Sequence, residues 1–273
     1  MKILTFAKDL LRLQKQAAQA RLAQFEANLL QDPRRQDLKT LSRFERRVFS
    51  QFGEDGVVAE IFRRVGAPSR TFVELGVGDG LENNTTFLLL QGWRGGWIDG
   101  DAANIRRIRR RFCGPIGEGR LTVQRAFVTA ENVGGLLEEM KTPAAPDLLS
   151  LDIDRNTYWV WAALARWKPR VVVVEYNAGF PPEFDWKVDY DPARGWNGTA
   201  YFGASLKAYE LLGRKLGYAL VGCTLSGVNA FFVREELAAD KFSAPFTAEH
   251  HHEPPRYFLR RRDSHAPCFD DRA

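Results

Sequence analysis

Thr71-Phe72-Val73-Glu74-Leu75-Gly76-Val77-Gly78-Asp79-Gly80 is the stretch that decides the fold of this 273-residue chain. Five strand-forming residues run straight into three glycines spaced two apart. Such a turn lets the backbone reverse sharply and approach a ligand closely. In a doubly wound sheet, ligands sit at the carboxyl ends of the strands, where such turns lie. The dinucleotide fingerprint G-x-G-x-x-G fails here, because Leu81 stands where its last glycine belongs. Asp99 lies 23 residues beyond Gly76, at the end of the next apolar segment, Gly96-Trp97-Ile98-Asp99. A carboxylate there can accept hydrogen bonds from both hydroxyls of a ribose.

Outward from this turn the chain alternates between strand and helix patterns. The segments 121–127, 147–153 and 170–175 read as strands. Those at 102–112, 133–140, 158–167 and 205–216 read as helices. Arg170-Val171-Val172-Val173-Val174-Glu175 has the continuous β-branched run of a strand buried on both faces. Ser50 is placed to cap a helix carrying Val57, Val58, Ile61 and Phe62. The last two strands, 218–223 and 229–234, are separated by Ser226-Gly227 and form a hairpin. The expected fold class is therefore α/β: a doubly wound, mostly parallel seven-stranded sheet with an antiparallel last strand.

An N-terminal amphipathic helix precedes it. Ile3, Phe6, Ala7, Leu10, Leu11, Ala17, Leu22, Phe25 and Leu29 recur at helical spacing until Asp32-Pro33. The expected division is 1–33 for this helix and 34–273 for one domain, with an insertion at about 178–203. The helix can dock on that domain, pair with a second copy, or lie on a membrane surface. Its apolar face carries no Trp, which weakens the last option. A hydrophobic content of 45% suffices for a packed core and excludes disorder. The net charge of +5 is spread out, so no nucleic-acid partner is expected; the densest basic run, Arg260 to Arg262, reads as a solvated tail. Cys113, Cys223 and Cys268 form no C-x-x-C pair, and Lys8, Asp9 and Arg12 interrupt any signal-like apolar stretch. A cytoplasmic location follows as the expectation.

The spacing E-x-G-x-G-x-G resembles motif I of class I, S-adenosylmethionine-dependent methyltransferases. Further blocks extend the resemblance: Ser50-Gln51-Phe52-Gly53-Glu54-Asp55-Gly56, Glu82-Asn83-Asn84-Thr85, Trp97-Ile98-Asp99-Gly100, Val173-Val174-Glu175-Tyr176-Asn177, and Tyr201-Phe202-Gly203-Ala204-Ser205-Leu206-Lys207. Together, over residues 50–258, they are similar to the FkbM-like methyltransferases, in a bacterial branch often found among polysaccharide genes. The resemblance implies that Glu74, Gly76 and Gly78 hold the methionine part of S-adenosylmethionine, Asp99 its ribose, and Ala126, Phe127 and Val128 border its adenine. Gln51 and Asn84 would reach the amino-acid end, or else serve in capping and turn bonding. The branch continues its fourth strand as D-I-D-G-N-D-Y-W, whereas this chain reads Asp152-Ile153-Asp154-Arg155-Asn156-Thr157-Tyr158-Trp159. Arg155 is thus placed either to neutralise the acidic cluster or to meet an anionic acceptor.

Asp152 and Asp154 end the fourth strand, and Glu175 and Asn177 the fifth. Neighbouring parallel strands open on the same edge, so these groups converge on the expected acceptor site. Asp152, Asp154 and Glu175 are the candidate catalytic residues. Three carboxylates and an amide are hard oxygen donors suited to Mg²⁺, Mn²⁺ or Ca²⁺, with Asp152, Glu175 and Asn177 as candidate ligands. The competing reading has one carboxylate as a metal-free general base and the others as structural bonds. The insertion carries Phe180, Phe184, Trp186, Tyr190, Trp196, Tyr201 and Phe202. These aromatics suit a cover over a sugar, or simply pack on the domain. His250, His251 and His252 could add a ligand or base, or be surface and capping residues. The expected function is O-methyl transfer to a sugar or glycan hydroxyl. The alternatives are transfer to another small acceptor, and an inactive methyltransferase-fold binding or assembly subunit built around the N-terminal helix.

Overall fold

The computed structural model describes residues 2–259 and Phe269, with side chains from residue 8 onward. Ile3, Phe6 and Ala7 as side chains, the run Arg260 to Arg262, His265 and Cys268 lie outside the described residues. In chain order the elements that position the site are α1 (Lys2–Leu30), α2 (Glu54–Val65), β1 (Thr71–Leu75), α3 (Thr86–Leu90), β2 (Arg94–Asp99), α4 (Ala102–Arg111), α5 (Cys113–Gly117), β3 (Leu121–Arg125), α6 (Val133–Glu139), β4 (Leu148–Leu151), α7 (Thr157–Ala163), β5 (Val171–Glu175), α8 (Leu206–Leu216), β6 (Tyr218–Cys223) and β7 (Asn229–Arg234). The seven strands lie in the order β3-β2-β1-β4-β5-β7-β6. β1 to β5 pair in parallel, while β7 is antiparallel to both β5 and β6. The hairpin therefore folds back so that its second strand, not its first, meets β5.

Each central strand divides its side chains between two cores, as a period of two requires. Val172 and Val174 of β5 pack with Val160, Trp161, Tyr209 and Leu212 from α7 and α8. Val171 and Val173 face the other side, with Val58, Ile61, Leu89 and Ile108 from α2, α3 and α4. All four valines are fully buried, each stabilising the fold by about 1.5–3 kcal/mol relative to exposure. α8 starts where the Ser205 hydroxyl accepts the Ala208 amide at 3.2 Å and stops at left-handed Gly217, φ 88°. Ser50 does serve the first turn of α2, accepting the Asp55 amide at 3.1 Å, although Gly53 occupies the capping position.

α1 runs as one helix, and its residues 8–21 are exposed, including Leu10, Leu11 and Leu13. Only near its end does it meet the domain, where Phe25 packs edge-on against Phe258 at 5.6 Å. Residues 8–21 therefore do not dock on the domain, and docking is seen only near the end of the helix. No helix among the described residues is long and apolar enough to cross a membrane. Just past α1 the chain is clasped to its far end. Buried Arg35 grips both oxygens of buried Glu253 at 2.5 and 2.6 Å, and Arg34 and Arg256 reach the same carboxylate. The Glu253 carbonyl accepts the Tyr176 hydroxyl at 2.7 Å, directly after β5.

Candidate active site

Gly76 and Gly78 take φ values of +81° and +58°, the left-handed region that favours glycine. A Cβ on Gly76 would lie 1.7 Å from the Asp152 carbonyl oxygen, so the turn after β1 rests directly on the exit of β4. A Cβ on Gly78 would meet open space. Two cavities of about 480 Å³ flank this turn and share Gly76, Gly78 and Asp152 as walls. The first is lined by Asp99, Ala126, Phe127, Val128, Asp152 and Asp154 among others; the second includes Gln51, Glu74, Asn84 and Asp152. The structure therefore brings together the residues expected at the adenine and ribose on one side and those expected at the amino-acid end on the other.

Three of these residues are already engaged in bonds within the protein. The Glu74 carboxylate is buried and already receives five donors: the Asn83 amide nitrogen, the backbone of Asn84 and Thr85, and the hydroxyls of Thr85 and Ser150. A carboxylate has about four lone-pair sites, so none is left for a ligand. Glu74 shapes the cavity by fixing the 83–85 turn rather than by contact. Burial raises its pKa, and these hydrogen bonds work in the opposite direction. Asp99 accepts the Gly78 amide at 2.9 Å on one oxygen, and the Asp101 amide at 2.8 Å and the Asn104 side chain at 3.2 Å on the other. One lone pair remains, enough for one ribose hydroxyl and not for two. Asn84 likewise spends its side-chain amide on Ser150 at 3.1 Å.

Asp152, Asp154 and Glu175 each bring a carboxylate oxygen within 4.8 Å of the others. Asp154 is exposed and holds φ 57°, a left-handed conformation that Asp tolerates better than most residues. Burial together with the neighbouring charges of Asp154, Glu74 and Glu54 pushes Asp152 up to about 7. Burial and the adjacent Asp152 and Asp154 push Glu175 well above the carboxylate range. Glu175 accordingly keeps its proton and hydrogen-bonds to Asp152, which leaves Asp152 as the first of the pair to ionise. Asn177 does not join them. Its amide nitrogen donates to the Ala200 and Phe202 carbonyls at 2.9 and 3.1 Å, and its oxygen accepts the Gly179 amide. It is a fastener of the insertion, and Asp154 takes the place expected for it among the cluster's oxygens.

Arg155 does not neutralise the cluster either. Its buried guanidinium donates to the Asp189 carbonyl and lies 5.2 Å from the Tyr201 ring centre, both in the insertion. Asn156 donates to the Asp191 and Arg194 carbonyls. These bonds hold Arg194 and Gly195 against the first cavity. The insertion's aromatics mainly stack on each other: Phe180 lies 4.4 Å from Trp186 and 5.7 Å from Phe184. None of them lines either main cavity. The histidines sit elsewhere. His250 and His251 border a small cavity beside Arg34, Arg35 and Glu253, and burial lowers His251 to about 3. His252 faces the Ala178 carbonyl.

Sequence reasoning missed two asparagines. The side-chain oxygens of Asn156 and Asn229 are buried without a partner among the described residues, and the residues line the first and second cavity respectively. Asn156 stands in the quoted D-I-D-R-N run and could have been flagged there; Asn229 carried no local signal.

The parallel β3-β2-β1-β4-β5 order closed by an inserted antiparallel β7, with a glycine turn after β1 and an acid after β2, decides the architecture. This is the class I methyltransferase fold. No family model and no curated protein matches the chain. Among solved structures it is similar to the N-terminal domain of EvdMO1 with SAH bound, at 14% identity and TM-score 0.40, covering 66% of this chain and 79% of that one. It is also similar to an O-methyltransferase family protein from Burkholderia thailandensis, at 13% identity and TM-score 0.42, covering 64% of this chain and 52% of the other. A TehB-like SAM-dependent methyltransferase from Corynebacterium glutamicum matches at 16% identity and TM-score 0.38, over 67% of this chain and 88% of that one.

Proposed function

We propose that this protein is an S-adenosylmethionine-dependent O-methyltransferase of the FkbM-like branch, acting in the cytoplasm on a hydroxyl of a sugar or glycan intermediate. The observation that carries the reading is the convergence of Asp152, Asp154 and Glu175 beside the glycine turn, at the strand ends where a class I methyltransferase fold places its acceptor. The donor fits the site's chemistry: Asp99 retains one acceptor position, Phe127 is exposed along the first cavity, and the second cavity offers polar side chains. When bound, it supplies an electrophilic sulfonium methyl group. Asp152 accepts the proton of the acceptor hydroxyl, and Glu175 holds Asp152 in place through the shared hydrogen bond. Exposed Asp154 faces the incoming acceptor.

The same three carboxylates suit a divalent cation, since all are hard oxygen donors whose mutual repulsion a cation would relieve. A bound Mg²⁺ or Mn²⁺ would lower the pKa of an acceptor hydroxyl. Methyl-transfer assays with labelled donor over nucleotide sugars and glycans test the reading as a whole. Transfer only to carboxylates or amines would move it to another acceptor class. Donor binding is tested separately: Asp99→Ala is expected to weaken it by about 1.5–3 kcal/mol in calorimetry. Unchanged affinity would remove Asp99 from the donor site.

The exposed Leu10, Leu11 and Leu13 of α1 favour self-association through this helix as a second property. Deletion of residues 1–30 is expected to lower the mass seen in light scattering. An unchanged mass together with loss of vesicle binding would favour a membrane-surface role instead.

A further inference from the structure

We infer that the second cavity is a primary-ammonium subsite in which the side-chain oxygen of Asn229 is the directing acceptor. Asn229 opens β7 opposite Glu175 and is 5% exposed. Its side-chain nitrogen donates to Glu54 Oε1 at 2.8 Å. The other oxygen of Glu54 accepts the backbone amides of Phe52 and Gly53, each at 3.0 Å. This bonding fixes which way the amide faces. The Glu54 carboxyl oxygen is the acceptor in this bond, so the end of Asn229 that meets it is its NH₂. The oxygen is thereby turned the other way, where it is buried without a partner among the described residues, on a residue that lines the second cavity. An unpaired buried carbonyl is costly, so a ligand that donates to it recovers that cost.

The ligand group this wall selects is a cation that donates hydrogen bonds. Asp152, Asp79 and Glu82 line the same cavity; Arg111 on that wall is paired with Asp79 at 2.6 Å, and Glu74 has no lone pair to offer. A hydroxyl could satisfy Asn229, but the carboxylate alongside favours a positive donor. A primary ammonium combines charge with three N–H groups, enough to engage both. This inference rests on the donor reading above, and it assigns the ammonium to the amino-acid end of S-adenosylmethionine. Glu54 is then a positioning residue, acting through Asn229 without touching the ligand.

The test compares S-adenosylhomocysteine with its deamino analogue, in which hydrogen replaces only the ammonium, by calorimetry on the full-length protein. Wild type should bind S-adenosylhomocysteine about 10- to 100-fold more tightly, the range for a hydrogen bond to a charged group. Asn229→Leu should bring the two affinities to within about threefold of each other by weakening S-adenosylhomocysteine and leaving the analogue unchanged. Asn229→Thr, a smaller change, should lose discrimination partly and covers the case in which the leucine variant does not fold. Equal wild-type affinity for the two compounds overturns the subsite while leaving the donor reading intact. So does a parallel loss of both affinities in the Asn229 variants, which would mark Asn229 as structural. A wild type that binds neither compound overturns the donor reading, and this assignment with it.

Discussion

Turnover in Asp152→Asn is expected to fall about 100-fold or more, because the amide keeps the shape of the carboxylate and loses its basicity. Asp152 is the first of the coupled pair to ionise, near 7. Activity should therefore rise with pH up to about 7 and then level off, with that limb abolished in Asp152→Asn. Stability should move the other way. The folded pKa lies above the unfolded value of 3.8, so the folded state binds the extra proton between about 4 and 7, and stability declines as pH rises through that window. Asp152 also borders both cavities, so its variant can disturb donor affinity as well as turnover. Glu175 lines neither, which makes Glu175→Gln the cleaner companion: slower turnover with donor affinity unchanged. Chelator treatment separates the two forms of the mechanism, because only a metal-dependent enzyme loses activity and regains it with Mg²⁺ or Mn²⁺. Near-wild-type turnover in both variants would remove the carboxylates from the reaction.

Gly76→Ala is expected to cost about 3 kcal/mol or more, combining a left-handed φ with a Cβ placed 1.7 Å from the Asp152 carbonyl. Backbone cannot yield there as a side-chain tip would, so β1 and β4 must separate at the site itself. The same substitution at Gly78 meets no atom within 4 Å and carries only the φ penalty of about 1–2 kcal/mol. Its methyl group instead projects where both cavities are bounded, so Gly78→Ala should impair donor binding more than folding. Melting curves and calorimetry on the two variants read this split. Equal melting temperatures would show that the contact between Gly76 and Asp152 is not the constraint described.

The strand pattern was legible because backbone periodicity writes itself into adjacent residues. Val171 to Val174 had to be buried on both faces, and the Ser226-Gly227 hairpin had to return antiparallel. The turn at Gly76 and the acid at Asp99 announced themselves by spacing. Side-chain bonding across the fold left no such trace. The Asn229–Glu54 bond spans 175 residues, and nothing near either residue signals it. Glu74 sits in the expected motif, but its five donors exist only once the 83–85 turn folds back over it. The position of Asn177 just past a strand end suggests a metal ligand. The chain leaves β5 at Glu175, however, and alternation no longer governs where the residue after next points. Arg155 was read against the acids beside it in sequence, while its partners came from the insertion.

The clasp between Arg35 and Glu253 decides where this chain can be shortened. A start placed at Gln31 removes α1 and keeps both arginines that neutralise Glu253. A start placed at Gln36, only five residues later, leaves that buried carboxylate with Arg256 alone, a loss of about 3–5 kcal/mol for a broken buried ion pair. The strain would fall on Tyr176, whose hydroxyl hangs from the Glu253 carbonyl one residue past Glu175. A trim made only to improve solubility would thus reach Tyr176, the neighbour of the acceptor carboxylate Glu175, far along the chain from the cut.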